Sequence, residues 1–136
     1  SLMFSMAEKR FSRDGKEQVV LERAVNTEWM LVTALSDFRN AADFGKNRKL
    51  TFKDLYLHYM ELLEVLQCAG ITGEFREGGL APEERRNLLC KLHHLNLHLA
   101  AIKAKARTET ELPRQVELNI QAKRLEREIG EIQKRL

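Results

Sequence analysis

The chain has 136 residues, of which 32% are charged and 7% aromatic, with 23 basic and 20 acidic side chains. This length predicts a single domain, residues 1–136, with a modest core. A net charge of +3 does not by itself indicate a nucleic-acid-binding protein, because phosphate binding needs clustered positive charge.

The sequence does not lead us to expect a membrane-spanning or a secreted protein. No apolar run approaches the ~20 residues that a membrane-spanning helix needs, and the opening residues lack the basic start and apolar stretch of a secretory signal. The two cysteines, Cys68 and Cys90, show no pairing pattern and suit a reducing compartment. We therefore expect a cytoplasmic protein, with no membrane partner and no cofactor.

The front of the chain, residues 3–45, differs from everything that follows. Residues 3–7 and 18–21 are short, β-prone runs, and the Asp14-Gly15 pair between them is a strong turn signal. This pattern predicts a small N-terminal β-hairpin followed by irregular chain. Trp29, the single tryptophan, is interpreted as a core anchor.

A helix is the alternative for part of this front. A helix from Lys16 to Ala42 would place five apolar side chains on one stripe, and these are Val20, Ala24, Leu31, Leu35 and Phe38. Periodicity alone does not choose between the helix and the hairpin.

The next predicted element is a helix over residues 51–67. Thr51 suits the N-cap, and Asp54 stands three positions later, where a capping box has an acidic residue. Gly70 is well placed to end this helix. Its inward side carries Leu55, Tyr59, Leu62, Leu63 and Leu66.

The last part of the chain contains two apolar seams in which steps of four and three residues alternate, as in a coiled coil. The first seam is Leu88, Leu92, Leu95, Leu99 and Ile102, and the second is Leu118, Ala122, Leu125, Ile129, Ile132 and Leu136. Continued through the intervening residues, the first seam misses the second by two residues. One straight helix cannot present both seams to one partner, so the chain is predicted to reverse between them.

This reversal predicts a long antiparallel helical hairpin over residues 82–136. Pro82 opens the first arm, which runs to about residue 107, and Pro113 opens the second, because proline is tolerated in a first helical turn. A second apolar stripe on the first arm gives the helix at 51–67 a surface to pack on, and it consists of Leu89, Leu97, Ala100 and Ala101. The predicted fold is therefore mainly α: a long helical hairpin packed with a third helix.

Cys90, His94 and His98 are the weak candidates for a metal site. They fall at steps of four residues and so share one helix face, and thiolate with imidazole could hold zinc at that spacing. No second pair of ligands is evident, apart from the lone His58. We favour the interpretation that these histidines lie at the surface or take part in packing, and do not bind a metal.

Two groups of basic residues are candidates for contact with nucleic acid. The group near the predicted reversal is Lys103, Lys105, Arg107 and Arg114, and the group at the front is Lys9, Arg10, Arg13 and Lys16. Three acidic residues lie within the first group and weaken its positive electrostatic field: Glu109, Glu111 and Glu117. No carboxylates stand isolated in an apolar setting, which is the arrangement that raises a carboxylate pKa for acid–base catalysis.

Three stretches together resemble a bacterial family. They are Ala7-Glu8-Lys9-Arg10 leading to Val19-Val20-Leu21-Glu22 and Thr27-Glu28-Trp29; Asp54-Leu55-Tyr56 at the start of a leucine-rich helix; and Glu111-Leu112-Pro113-Arg114-Gln115-Val116-Glu117-Leu118-Asn119. On these residues the chain resembles the C-terminal half of the family described as domain of unknown function 4391. Pro113 stands where that family more often has asparagine.

The resemblance implies a chain that ends in a charged helical pair, and it favours strands over a helix at the front. It implies no catalytic residue, because the family has no assigned activity. Family genes often lie beside helicases and DNA methyltransferases, which implies an accessory role in restriction or phage defence.

The expected function is a non-enzymatic module in which the outer face of the helical hairpin or the unpaired strand edge binds another protein or a second copy of the chain, with no small-molecule substrate evident. An accessory DNA-binding protein that acts through the basic groups is the alternative.

Overall fold

The computed structural model describes residues 1–13, 18–48 and 50–136. The chain divides into two compact units, Ser1–Gly79 and Leu80–Leu136. The predicted mainly helical fold with a small N-terminal sheet is confirmed. In the described residues no helix is both long and apolar enough to cross a membrane.

The N-terminal unit opens with an antiparallel hairpin of β1 (Ser5–Phe11) and β2 (Val19–Asn26). The register pairs Ser5 with Asn26 and Phe11 with Val19, and it shifts between Glu8 and Lys9. The predicted β-hairpin is therefore confirmed, and the alternative helix from Lys16 to Ala42 is wrong over β2. The predicted Asp14-Gly15 turn lies outside the described residues.

Short helical segments connect β2 to the main helix of this unit. A 3-10 turn (Val32–Leu35) leads into α1 (Ser36–Ala41), and α2 (Phe44–Asn47) follows. Asp43 caps α2, since its carboxylate accepts a hydrogen bond from the Gly45 amide at 2.7 Å.

Helix α3 spans Phe52–Thr72 and begins where the sequence predicts. The Thr51 hydroxyl accepts a hydrogen bond from the Asp54 amide at 3.2 Å, as an N-cap residue does. Its predicted end at Gly70 is wrong. The helix continues instead to Thr72 and is capped by Gly73, which has the left-handed φ of 83° that favours glycine.

Close packing explains why glycine stands inside α3. A Cβ at Gly70 would lie 3.1 Å from Cε of Met30, so the missing side chain makes room for the methionine. Met30 is half-buried, whereas its neighbour Trp29 is 68% exposed. The prediction of Trp29 as a core anchor is therefore wrong, because Met30 packs here instead.

The core of the N-terminal unit joins the hairpin, the 3-10 turn and α3. Its buried members are Val25, Leu35, Met60, Leu63 and Leu66. Aromatic rings close one side of this core: the ring centroids of Phe4 and Phe38 lie 5.0 Å apart, and those of Phe38 and Phe75 lie 6.2 Å apart. Burial of these apolar side chains holds the two-stranded sheet, which would be marginal alone.

One ion pair ties the hairpin to α3 beside this core. Nη1 of Arg23 on β2 lies 3.1 Å from Oε1 of Glu64 on α3, and the Glu64 side chain is only 2% exposed. Nε of Arg23 lies 3.7 Å from Oε2 of Glu8 on β1, so the arginine contacts carboxylates from both other elements. Removal of one partner of a buried pair leaves an uncompensated charge.

The C-terminal unit is an antiparallel pair of helices, α4 (Pro82–Thr108) and α5 (Leu112–Arg135). Pro82 and Pro113 stand in the first turns, and Glu111 is the N-cap residue of α5. The predicted reversal after residue 108 is confirmed. All members of both predicted seams are buried or half-buried, and Leu88, Leu92, Ile129 and Ile132 form the centre of the core.

Ion pairs between the two arms flank this seam. They join Lys91 to Glu128 at 2.7 Å, Lys103 to Glu126 at 2.7 Å and Arg135 to Glu84 at 3.0 Å. The side chains are 45–60% exposed, so each pair is worth well under about 1 kcal/mol. The apolar seam supplies most of the packing energy. The packing of a third helix on this pair, and the single domain, stay predictions.

The Arg23–Glu64 pair generates a stability prediction. Replacing Glu64 with alanine leaves the Arg23 charge without its buried partner, which we expect to lower the free energy of unfolding by about 3 kcal/mol. The control is Glu74→Ala, which removes an ion pair with Arg76 whose side chains are 64–67% exposed, and we expect it to cost less than about 1 kcal/mol. Urea denaturation followed by circular dichroism measures both. Equal losses in the two variants would contradict the assignment.

Candidate functional site

A row of exposed apolar side chains lies on the outer face of α5. Leu112, Val116 and Ile120 are 73%, 52% and 48% exposed. They follow one another at steps of four residues and so lie on successive turns of one helix face. We call these three residues the outer row.

The outer row lies on the side of α5 opposite the seam. At 3.6 residues per turn, the side chains of the seam and those of the outer row point in roughly opposite directions from the helix axis. The seam is represented here by Leu118 and Ala122, and the outer row by Val116 and Ile120. The seam faces α4 and is covered; the outer row faces away from α4 and is open. Three large apolar side chains in a continuous exposed row are a typical sign of an interaction surface.

Basic residues follow the outer row on this same face of α5. Glu111, the N-cap residue, precedes Val116 by five residues and does not lie on this face. Beyond Ile120 the face continues with Lys123 and Arg127, both exposed and without an ion pair to any described residue. The outer row is therefore followed by two positive charges on the same face.

The predicted basic group near the reversal is divided by the structure. Lys103 is paired with Glu126 on α5, and Arg107 is exposed in the last turn of α4. Lys105 and Arg114 line a cleft of about 380 Å³ together with Thr108, Glu109, Glu117, Leu118 and Gln121. Two carboxylates share this cleft with the two cations, which weakens its attraction for phosphate.

The basic group at the front is also divided. Arg10 pairs with Glu22 across the hairpin. Lys9 and Arg13 are exposed, and Lys16 lies outside the described residues. Among the described members of this group, Arg10 is therefore engaged in an ion pair, and Lys9 and Arg13 face solvent.

The weak metal candidates do not form a site. Among the described residues, no group of three or more His, Cys, Asp or Glu side chains is arranged to hold a metal ion. Cys90, His94 and His98 lie exposed on α4, and the ring of His94 lies 6.0 Å from the ring of His93.

The N-terminal unit has two further apolar features. Phe11 and Val19 pair across the β-hairpin and are 75% and 59% exposed. A cavity of about 280 Å³ lies between the hairpin, α1 and α3, and its lining, which is almost wholly apolar, is Phe4, Ser5, Met6, Phe38, Ala42, Tyr59 and Leu63. Such a lining lacks the convergent polar groups that orient a substrate.

An outer face of the hairpin was expected to bind a partner, but the sequence analysis did not identify the three residues of the outer row. The seam residues were assigned by their alternating steps of four and three, and the apolar residues left over on α5 received no role. A signal was present, since a second apolar stripe at steps of four on the same helix predicts a second contact face. The Arg23–Glu64 pair had no such signal, because 41 residues separate its members.

The fold and these surfaces define a protein with a β-hairpin-and-helix unit and a helical-hairpin unit. The chain belongs to the family described as Domain of unknown function (DUF4391), whose family model matches residues 1–129. Comparison with curated proteins gives no match, and comparison with solved structures gives none either.

Two isoleucines of α5 provide a matched test of the two helix faces. Ile129 is 8% exposed in the seam and Ile120 is 48% exposed in the outer row. We expect Ile129→Ala to lower the free energy of unfolding by about 2–4 kcal/mol, and Ile120→Ala to change it by less than about 0.5 kcal/mol. The helix propensity change is the same in both variants, so burial alone separates them. Chemical denaturation measures the difference, and similar losses would contradict the assignment of faces.

Proposed function

We propose that this chain is a non-enzymatic protein-interaction module that binds another protein chain through the outer row of α5. The observation that carries the proposal is the exposure of Leu112, Val116 and Ile120 on a face that the α4–α5 seam leaves open. A helix binds a partner in this way, with apolar anchors on successive turns of one face.

The energy available at this surface supports binding to a protein. Burial of a fully exposed leucine, valine or isoleucine contributes about 1.5–3 kcal/mol. Val116 and Ile120 are already about half-covered, and Leu112 is 73% exposed. A partner that covers the outer row would therefore gain a few kcal/mol before the cost of association. Neighbouring contacts are needed to reach a stable complex, which favours a helix or groove that runs along α5.

An interaction role is preferred to catalysis because the described ionisable groups serve the fold or face solvent. Glu64, a buried carboxylate, pairs with Arg23. Glu84, Glu126 and Glu128 pair with cations of the opposite arm. Catalysis usually needs titratable groups gathered in a cleft with strongly shifted pKa values.

The family resemblance extends the proposal to an accessory role in a bacterial restriction or phage-defence system. A cytoplasmic location belongs to the same proposal. It agrees with the exposed thiol of Cys90, which suits a reducing compartment.

Contact with nucleic acid is the second candidate. Lys105, Arg107, Lys123 and Arg127 are exposed cations of the helical hairpin without an ion pair to any described residue. We rank this function second because Lys103 is paired with Glu126, and because Glu109 and Glu117 share the cleft of Lys105 and Arg114.

The test of the proposed function compares wild type with the triple variant Leu112→Ser, Val116→Ser and Ile120→Ser. We expect wild type to form a stoichiometric complex, either with a second copy or with a different chain recovered from its native source. The triple variant should weaken that complex at least about tenfold, since it removes the apolar anchors. Sedimentation velocity and quantitative capture measure the two kinds of complex.

Leu97→Ser is the matched control, because Leu97 is 57% exposed on α4 and lies outside the outer row. It should bind like wild type. The proposal is wrong if the triple variant forms every complex as well as wild type does. Salt-sensitive binding of duplex DNA that depends on Lys105 and Arg114, and not on the outer row, would favour the second candidate.

A further inference from the structure

Two cations continue the outer row along the exposed face of α5. Lys123 and Arg127 follow Val116 by seven and eleven residues, so at 3.6 residues per turn both point within about 20° of its direction from the helix axis. Both side chains are exposed. Read from the start of the helix, this face therefore presents three large apolar side chains and then two positive charges.

The nearby carboxylates of α5 are engaged by other cations. Glu126 stands three residues after Lys123, and it pairs with a lysine of α4 at 2.7 Å. Glu131 stands four residues after Arg127, and it pairs with a lysine three residues further along α5 at 3.1 Å. Among the described residues, neither cation of the outer face has an ion-pair partner of its own.

The two cations also repel each other. Lys123 and Arg127 stand four residues apart, where side chains of one helix face are neighbours, and like charges at this spacing are unfavourable. A partner that brings negative charge to this face relieves the repulsion and adds two attractions. The surface therefore favours a partner that is anionic beside the outer row.

We infer that the outer row binds an acidic amphipathic helix of another protein, whose carboxylates meet Lys123 and Arg127 and whose apolar side chains meet the outer row. The inference rests on the proposed function, because it names the chemistry of the partner at that same surface. The apolar anchors supply most of the affinity, and the charges select the partner and its position along α5.

The spacing of residues on α5 specifies the spacing on the partner. Along the axis, Lys123 lies about 4.5 Å beyond Ile120 and Arg127 lies about 10.5 Å beyond it, at 1.5 Å per residue. An antiparallel partner helix then carries two acids four residues apart, an apolar residue three positions later, and two more apolar residues at steps of four. The partner's own helix dipole stabilises acids in its first turns, which favours this antiparallel direction.

The same arrangement disfavours two other anionic surfaces, a membrane and a nucleic acid. A helix that lies on a membrane buries its apolar face and keeps its basic residues on the polar face, whereas here the cations lie in line with the apolar row. A nucleic acid binds cations through its phosphates and would leave the three large apolar side chains uncovered. A helix with both kinds of side chain covers the whole face.

Peptide selection against the full chain tests the inference. A phage-displayed library of random 20-residue peptides is first depleted on the variant Leu112→Ser, Val116→Ser and Ile120→Ser and is then selected on wild type at low ionic strength. The selected sequences should be enriched in two acids four residues apart beside apolar residues at steps of four. Enrichment of uncharged or basic sequences would contradict the inference.

A charge exchange then tests the contact with one selected peptide in solution. The double variant Lys123→Glu and Arg127→Glu should weaken binding about tenfold, because two attractions become two repulsions. Replacing the two acids of the peptide with lysine should restore its binding to this variant. Fluorescence anisotropy measures each affinity, and circular dichroism verifies that the variant keeps its helices.

The control for net charge is the double variant Arg39→Glu and Lys53→Glu. These two cations are exposed in the N-terminal unit, and their reversal changes the charge of the chain by the same amount. Binding of the selected peptide should stay within about twofold of wild type, because long-range interactions between exposed charges are screened.

Four results would overturn the inference: no peptide that depends on the outer row, selected peptides without acids, equal effects of the two double variants, or no rescue by the lysine peptide. These results are distinguishable from failure of the proposed function. If the selected peptides need the outer row but carry no acids, the proposed function stands and only the acidic character of the partner is wrong. Binding of anionic lipid vesicles or duplex DNA through Lys123 and Arg127, with no peptide bound, would also overturn the inference and assign the cations to that surface.

Discussion

The apolar seam between α4 and α5 is the contact on which the interpretation of this protein depends. Leu88 and Leu92 from one arm meet Ile129 and Ile132 from the other, and each arm has an apolar stripe at its own phase. Because the two stripes are out of phase, they can meet only if the chain reverses direction. That reversal decides which face of α5 is covered and which is left open, so the exposure of the outer row is a consequence of the seam.

The N-terminal unit depends on a different kind of contact. A two-stranded sheet has little stability of its own, and here the apolar cluster around Leu35, Met60 and Leu66 covers one face of it. The Arg23–Glu64 ion pair then fixes which residue of β2 meets which turn of α3. Desolvation offsets much of the attraction in a buried pair, so the large cost in stability arises when one partner is removed and the other is left unpaired.

Local and periodic signals predicted most of the elements from the sequence. Helices α3, α4 and α5 and the reversal between the last two were predicted from the cap at Thr51, the prolines at positions 82 and 113, and the two seams. Contacts between distant residues could not be predicted. Gly70 suggested a helix end, but it lies inside α3 to make room for Met30, and Trp29 is exposed because its neighbour fills the core. The basic group was visible in the sequence, but its division by Glu126, Glu109 and Glu117 depends on tertiary structure.

The distance between the start of α4 and the end of α5 tests the reversal most directly. Spin labels at Glu84 and Arg135, which form an ion pair at 3.0 Å, can be introduced as cysteines after Cys68 and Cys90 are replaced with serine. Double electron–electron resonance on a dilute sample should give a label separation under roughly 30 Å, because packed helix axes lie about 8–10 Å apart. A separation near 75 Å, as for a continuous helix of about 50 residues at 1.5 Å per residue, would contradict the account.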